Sequence, residues 1–169
     1  MQKYTSANTS QNQIPALYKK ALKNGMLQPL MRVYDYGCGK YLEQLQDFAI
    51  DNNFLIYGYD KYNQSVSHNL HVSLTRLPIA NVITCCNVLN VLDNPALNEV
   101  LTELSMYAKD FKIPVIISTY EGNKSGTGKQ SKKDCYQRNM RTKDYKQLLL
   151  QHFTHVEIKN GLIKCEVKY

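Results

Sequence analysis

The chain has 169 residues, a hydrophobic fraction of 43% and a formal net charge of +7. This length suits one domain with a sizeable core, and the hydrophobic fraction excludes a disordered chain. The positive charge favours an anionic partner, nucleic acid first, although a basic surface that serves only solubility would give the same value.

The chain has five cysteines, and no two of them have the CxxC spacing of a metal site. An odd count, with members inside predicted strands, favours reduced thiols over a disulfide framework. No segment approaches the roughly 18 apolar residues of a membrane span, and the first residues lack an apolar signal region. The sequence therefore predicts a cytoplasmic protein with no membrane segment and no metal.

The first residues, 1–13, are polar and predict a flexible arm, whereas 14–169 predict a single domain. Pro15 opens an amphipathic helix, and Asn24-Gly25 ends it as a C-cap. Five strands are then predicted, at residues 31–36, 54–59, 71–74, 81–86 and 113–118, of which 71–74 has the weakest signal.

Helices are predicted between these strands, one at about 40–52 and one that begins at Asp93 or Asn94. Residues 120–139 contain three glycines and four lysines and are too long for a plain connection, so they are either functional or disordered. Thr142 is the predicted N-cap of another helix. The last two strands, 155–159 and 162–168, flank Asn160-Gly161, which is typical of a type I′ hairpin.

The turn after the first strand has the residues of a nucleotide-binding unit. The strand ends at Asp35 and breaks into Gly37-Cys38-Gly39, and the next strand ends on Asp60, 21 residues after Gly39. Glycines let the backbone approach a ligand, the amides near Lys40 can face a carboxylate, and an acid at this spacing can accept both ribose hydroxyls. A glycine pair alone would also suit an ordinary strand-to-helix turn.

Three motifs, together with the terminal antiparallel hairpin, resemble the class I S-adenosylmethionine-dependent methyltransferases. The motifs lie at residues 33–39, 57–60 and 82–89. The resemblance covers about residues 14–169. More narrowly, but with less specific motifs, the chain resembles small bacterial and phage methyltransferases linked to DNA modification. It implies an α/β three-layer sandwich whose seven-stranded, mostly parallel sheet ends in a C-terminal antiparallel β-hairpin.

The resemblance also implies S-adenosylmethionine as cofactor and a set of residues that bind it: Asp35, Gly37, Cys38, Gly39, Asp60, Lys61 and Asn87. Asn87 follows the fourth strand, where it would face the transferred methyl group and orient an amino or hydroxyl nucleophile as the catalytic candidate. Asn87 could equally cap its loop. Two positions depart from the family pattern: Tyr41 replaces a frequent third glycine and could narrow the methionine pocket, and Asn81 replaces a frequent acid.

The 120–139 segment supplies the candidate substrate-binding residues, which are Lys129, Lys132, Lys133, Tyr136 and Arg138. The cations could contact phosphates and the tyrosine could stack on a base, although a solvated loop is the alternative. Three functions therefore stay open. Charge favours a methyltransferase acting on nucleic acid, compact size favours one acting on a small molecule, and Tyr41 with the lack of an evident base suggests a non-catalytic cofactor-binding protein that has a protein partner.

Overall fold

The computed structural model describes residues 13–132 and 135–168 of the chain. These residues form an α/β fold with a mixed, mostly parallel sheet and Rossmann-like topology. They fall into two compact units, one ending at Cys86 and the other beginning at Asn87. Residues 1–12 of the predicted flexible arm lie outside the described residues.

The first unit alternates helices and strands, with these bounds: α1 Ala16–Lys23, β1 Arg32–Tyr36, α2 Leu42–Asp51, β2 Leu55–Tyr59, α3 Val66–Thr75 and β3 Val82–Cys86. Its strands are parallel and lie in the order β2-β1-β3. The register sets Asp35 opposite Gly58 on one side and Thr84 on the other. The carboxyl ends of the three strands therefore lie next to one another.

The predicted first helix is confirmed, because α1 begins after Pro15 and has Asn24 as its C-cap. Gly25 follows with a φ of 67°, the left-handed backbone that glycine adopts without a steric penalty. Leu17 and Tyr18 are buried. The helix therefore belongs to the core of the first unit.

The strand predicted at 71–74 is wrong, because these residues belong to α3. The hydroxyl of Ser65 accepts a hydrogen bond from the His68 amide at 3.1 Å and caps the helix. Val72 is buried but Leu74 is 67% exposed, so burial follows the turn of a helix and not the alternation of a strand. The sheet consequently loses one of its expected strands.

The second unit contains one long helix, several strands and one short helix, with these bounds: α4 Asn94–Phe111, β4 Val115–Ser118, β5 Lys129–Lys132, β6 Cys135–Gln137, α5 Lys146–Leu149, β7 His155–Lys159 and β8 Leu162–Glu166. The order of the longer strands is β4-β8-β7, with antiparallel pairing. Strands β5 and β6 form a separate antiparallel hairpin inside the segment 120–139.

The type I′ hairpin is confirmed, since Lys159 pairs with Leu162 across a two-residue loop. Asn160 and Gly161 have φ values of 53° and 75°, and this turn needs a positive φ at both positions. Thr142 is not an N-cap, because it begins a 3₁₀ turn and its amide donates to Oε1 of Glu121 at 2.7 Å.

In the described part of the chain, the main sheet has six strands, three from each unit, where the sequence predicted seven. The missing strand is the one predicted at 71–74. The antiparallel hairpin at the end of the chain is present as predicted, and the arrangement in three layers stays a prediction. No helix among the described residues has the length and apolar character needed to cross a membrane.

Candidate functional site

The glycine turn after β1 is attached to the end of β2. Gly37 and Gly39 have φ values of 82° and 74°, which favour glycine at both positions. The amides of Gly37 and Cys38 both donate to the carbonyl oxygen of Tyr59, at 2.7 Å and 3.1 Å. The turn predicted to approach a ligand therefore has a fixed position beside the carboxyl end of the second strand.

Asp60 is 7% exposed, and hydrogen bonds hold both its side chain and its backbone. Its Oδ2 accepts from the Gly39 amide at 2.8 Å. Its Oδ1 accepts from the amides of Tyr62 and Asn63 and from Nδ2 of Asn63, at 2.8, 2.9 and 3.0 Å. The side-chain amide of Asn69, on α3, bonds both the N–H and the carbonyl of Asp60. Counting donors from the described residues, Oδ2 is the one oxygen of Asp60 that retains a lone pair without a donor.

Asp35 is 2% exposed, and its carboxylate is the last acceptor in a series of hydrogen bonds between buried hydroxyl groups. Oγ1 of Thr84 donates to its Oδ1 at 2.8 Å. The Tyr18 hydroxyl lies 2.9 Å from the same Oγ1 and must be the donor there, because the threonine proton is already used. Helix α1 and strand β3 thus both support the carboxylate that precedes the glycine turn.

Burial raises the pKa of Asp35 to about 6. The hydroxyl groups of Tyr18 and Thr84 act in the opposite direction by stabilising the ionised form, and the nearby Asp60 carboxylate raises the pKa further. Burial also raises the pKa of the Cys38 thiol well above its ordinary value. Cys38 is therefore a neutral thiol inside the turn, and Asp35 is mostly ionised at neutral pH.

Neither Asp35 nor Asp60 forms an ion pair within the described residues. The ammonium group of Lys61 lies 5.8 Å from the centre of the Tyr62 ring, and that of Lys40 lies 4.9 Å from the centre of the Tyr41 ring. Hydrogen-bond donors hold both carboxylates, but among the described residues neither has the cationic partner that a buried charge usually has. Two such carboxylates at adjacent strand ends favour a ligand that carries positive charge.

The amino end of α2 lies directly after the glycine turn. Tyr41 is the N-cap residue, and its side chain makes no capping hydrogen bond. The first amides of this ten-residue helix are thus without an intrahelical acceptor and, within the described residues, without a side-chain cap. Such a helix end can bind a carboxylate or a phosphate.

Gly58 on β2 lets the strand approach the turn closely. A Cβ at this position would lie 2.5 Å from Cδ1 of Leu42 and 2.7 Å from Sγ of Cys38. Real Cβ atoms do not come this close to other heavy atoms. From the sequence, Gly58 was predicted only as part of a strand, without this packing role.

The other predicted residues belong to the second unit. Asn87 is exposed, has a φ of 56° and donates its amide to the carbonyl oxygen of Ser118 at 2.9 Å. Lys129 is exposed on the β5–β6 hairpin. Lys133 and the side chain of Lys132 lie outside the described residues.

Tyr136, in β6, and Arg138, directly after that strand, both make contacts inside the protein. A Cβ on Gly128 would lie 1.7 Å from the Tyr136 hydroxyl, so the glycine makes room for this side chain. Arg138 is 6% exposed, and its guanidinium donates to the Leu92 carbonyl at 3.2 Å and to Oδ1 of Asn94 at 2.8 Å. The guanidinium anchors the hairpin, and its predicted contact with phosphate finds no support here.

Tyr18, Thr84 and Asn69 also belong to the site, although the sequence did not predict them as members. The signal for Thr84 was one hydroxyl residue in the otherwise apolar strand 82–86. Asn69 could have been found from the N-cap pattern that begins at Ser65. Tyr18 gave no signal, because its partner Thr84 is 66 residues away in the sequence.

No protein-family model matches this chain, and no curated protein sequence matches it either. Within the described ranges, no group of three or more histidine, cysteine or acidic residues could hold a metal ion. The Rossmann-like topology and the geometry around Asp35 and Asp60 are therefore the basis for assigning a function.

Proposed function

We propose that this protein is an S-adenosylmethionine-dependent methyltransferase that acts on nucleic acid. The observation that carries the proposal is the pair of buried carboxylates, Asp35 and Asp60, which have no ion-pair partner among the described residues. S-adenosylmethionine has a cationic sulfonium and a cationic amino group that match this negative charge. Its own carboxylate matches the amino end of α2.

Asp60 is suited to bind the ribose. Its Oδ2 has a free lone pair for one hydroxyl, and binding the second hydroxyl requires Oδ1 to release a donor. Nδ2 of Asn63 is the donor that can leave, because it belongs to a side chain while the other two are backbone amides. Asn69 keeps the backbone of Asp60 in place during this exchange.

Asp35 is suited to remain charged next to a cationic ligand. Thr84 donates to it and Tyr18 donates to Thr84, so the ionised carboxylate is stabilised by this chain of hydroxyl groups. A bound cation would lower the pKa of Asp35 from about 6, because an adjacent positive charge favours the ionised form. Ligand binding and ionisation of Asp35 therefore support one another.

When bound, the cofactor would supply an activated methyl group for in-line attack by the acceptor. The protein's contribution is to orient the acceptor. The side chain of Asn87 is exposed and makes no hydrogen bond to the described part of the chain, so its amide oxygen can accept a hydrogen bond from an amino or hydroxyl group and orient it. A net charge of +7 and the exposed Lys129 favour a polyanionic acceptor.

The test is calorimetric titration of the wild-type protein with S-adenosylmethionine and with S-adenosylhomocysteine. Asp60→Asn should weaken binding of both at least about tenfold, since it replaces one acceptor oxygen with a donor. Asp47→Asn, at an exposed position on α2, is the matched control and should bind like the wild type. If the wild type binds neither compound, the cofactor assignment is wrong.

The acceptor is tested by transfer of a labelled methyl group to single-stranded and duplex oligonucleotides and to a pool of small metabolites. Label in nucleic acid, lost on raising the salt concentration, supports the proposal. If the label appears only in small molecules, the acceptor is a small molecule and not nucleic acid. Binding of cofactor with no transfer to any acceptor would favour a non-catalytic binding protein.

A further inference from the structure

Tyr120 is a large aromatic side chain exposed just beyond the end of β4. It lies two residues after Ser118, the last residue of that strand, and is 62% exposed. The described part of the chain gives its ring no stacking partner and its hydroxyl no hydrogen bond. A flat aromatic face is therefore available to a ligand.

The backbone of Tyr120 is fixed although its side chain is exposed. Its amide donates to Oδ1 of Asn90 at 3.3 Å, and its carbonyl accepts from Nε2 of Gln137 at 3.1 Å. Asn90 and Gln137 also bond each other, through Nδ2 and Oε1 at 3.3 Å. Asn90 is 3% exposed, so this triangle of amides rests on a buried group. The backbone that carries the ring therefore needs little further ordering when a ligand binds.

The surroundings of Tyr120 suit a nucleic acid. The amide of Asn87 donates to the carbonyl of Ser118, so the exposed Asn87 lies at the same strand end. The acid that follows, Glu121, pairs with Lys124 at 3.4 Å and accepts from the Thr142 amide. The negative charge of Glu121 is therefore partly neutralised by Lys124, so that Glu121 repels a phosphate only weakly.

Tyr136, the aromatic residue that the sequence suggested for stacking, is less suited. The centre of its ring lies 5.9 Å from the guanidinium carbon of Arg138, and its hydroxyl lies against Gly128. Tyr136 therefore already packs within its own hairpin. Tyr120 has no such intramolecular contact among the described residues.

We propose that Tyr120 is the platform on which an unpaired base of the nucleic-acid substrate stacks. The proposal rests on the proposed function and adds to it that the bound strand is unpaired at the reacting nucleotide. Stacking on an aromatic ring is tolerant of sequence because every base has a π face. An enzyme that modifies a base must take that base out of the duplex or use a single strand.

The experiment measures binding of a fluorescently labelled single-stranded oligonucleotide by anisotropy at several salt concentrations. Tyr120→Ala should weaken binding about 5- to 100-fold, and Tyr120→Phe should bind like the wild type. Tyr120→Leu, which has an apolar side chain without a π face, should be weakened like the alanine variant. Met106→Ala removes a side chain of comparable exposure, 54%, from α4 and is the control that should not change binding.

Salt dependence separates stacking from charge. Tyr120→Ala should leave the slope of log K against log salt unchanged, whereas Lys129→Ala should reduce it by about 0.7 if that lysine contacts one phosphate of a single strand. If Tyr120→Ala does not fold, as judged by circular dichroism, the leucine and phenylalanine variants decide the question between them.

Two results would overturn the inference in distinguishable ways. If the wild type binds the oligonucleotide and Tyr120→Ala or Tyr120→Leu binds equally well, the stacking role is wrong but the proposed function stands. If the wild type binds no oligonucleotide even at low salt, both the stacking role and the nucleic-acid acceptor are wrong, while calorimetry still tests the cofactor separately.

Discussion

Replacing Asp35 with asparagine should change how the stability of the fold depends on pH. Burial raises the pKa of Asp35 from its ordinary 3.8 to about 6. The folded state therefore holds this proton more tightly than the unfolded chain does. The stabilisation from the protonated carboxyl is complete below about pH 3.8 and is lost as the pH rises through about 6. Asparagine stays neutral at every pH and has nearly the same shape.

The size of the effect follows from the two pKa values. The change from 3.8 to about 6 corresponds to about 3 kcal/mol of unfolding free energy. The free energy of unfolding of Asp35→Asn relative to the wild type should therefore rise by that amount between about pH 3 and about pH 7.5. Most of the rise should occur between the two pKa values.

The assay is urea unfolding followed by circular dichroism, with both proteins measured across this pH range. Asp47→Asn, exposed on α2, is the control, because any pH dependence that it shares with Asp35→Asn is a general effect of net charge. A difference between Asp35→Asn and the wild type that stays constant with pH would refute the reasoning. In that case the buried carboxyl would titrate alike in the folded and unfolded states.

Three further substitutions test contacts inside one unit or the other. Gly58→Ala should lower the free energy of unfolding by about 1–3 kcal/mol, because its Cβ would overlap Leu42 and Cys38; an unchanged urea midpoint would mean that the strand can move aside. Arg138→Met should cost about 2 kcal/mol, because it leaves the Leu92 carbonyl and Oδ1 of Asn94 without their donor. Lys129→Met, at an exposed position, is its control, and equal stability of the two variants would contradict the anchoring role. Gly161→Ala should destabilise the terminal hairpin by about 1 kcal/mol because of its φ of 75°, and amide exchange in β7 and β8 that is no faster than in the wild type would argue against this.

The sequence alone determined those parts of the fold whose signals are local. The glycine turn between β1 and α2 and the two-residue loop at Asn160-Gly161 are fixed by positive φ values that few other residues adopt. The acid at the end of β2 could be located because its distance from the turn is set by one helix and one strand. The helix capped by Asp93 was also predictable, since its side chain accepts from an amide three residues later.

Only the tertiary structure decided the features that depend on residues far apart in the chain. Residues 71–74 have the alternation of a short strand, but their neighbours from Ser65 onward form a capped helix whose Asn69 holds Asp60. Arg138 looked like a surface cation, yet it is buried against a carbonyl 46 residues earlier. Thr84 donates to Asp35 although the two residues are 49 positions apart in the sequence. Tyr18 contacts Thr84 across 66 positions. Local preferences act over a few residues, whereas the burial of a charge and the partners it finds are set by packing of the whole unit.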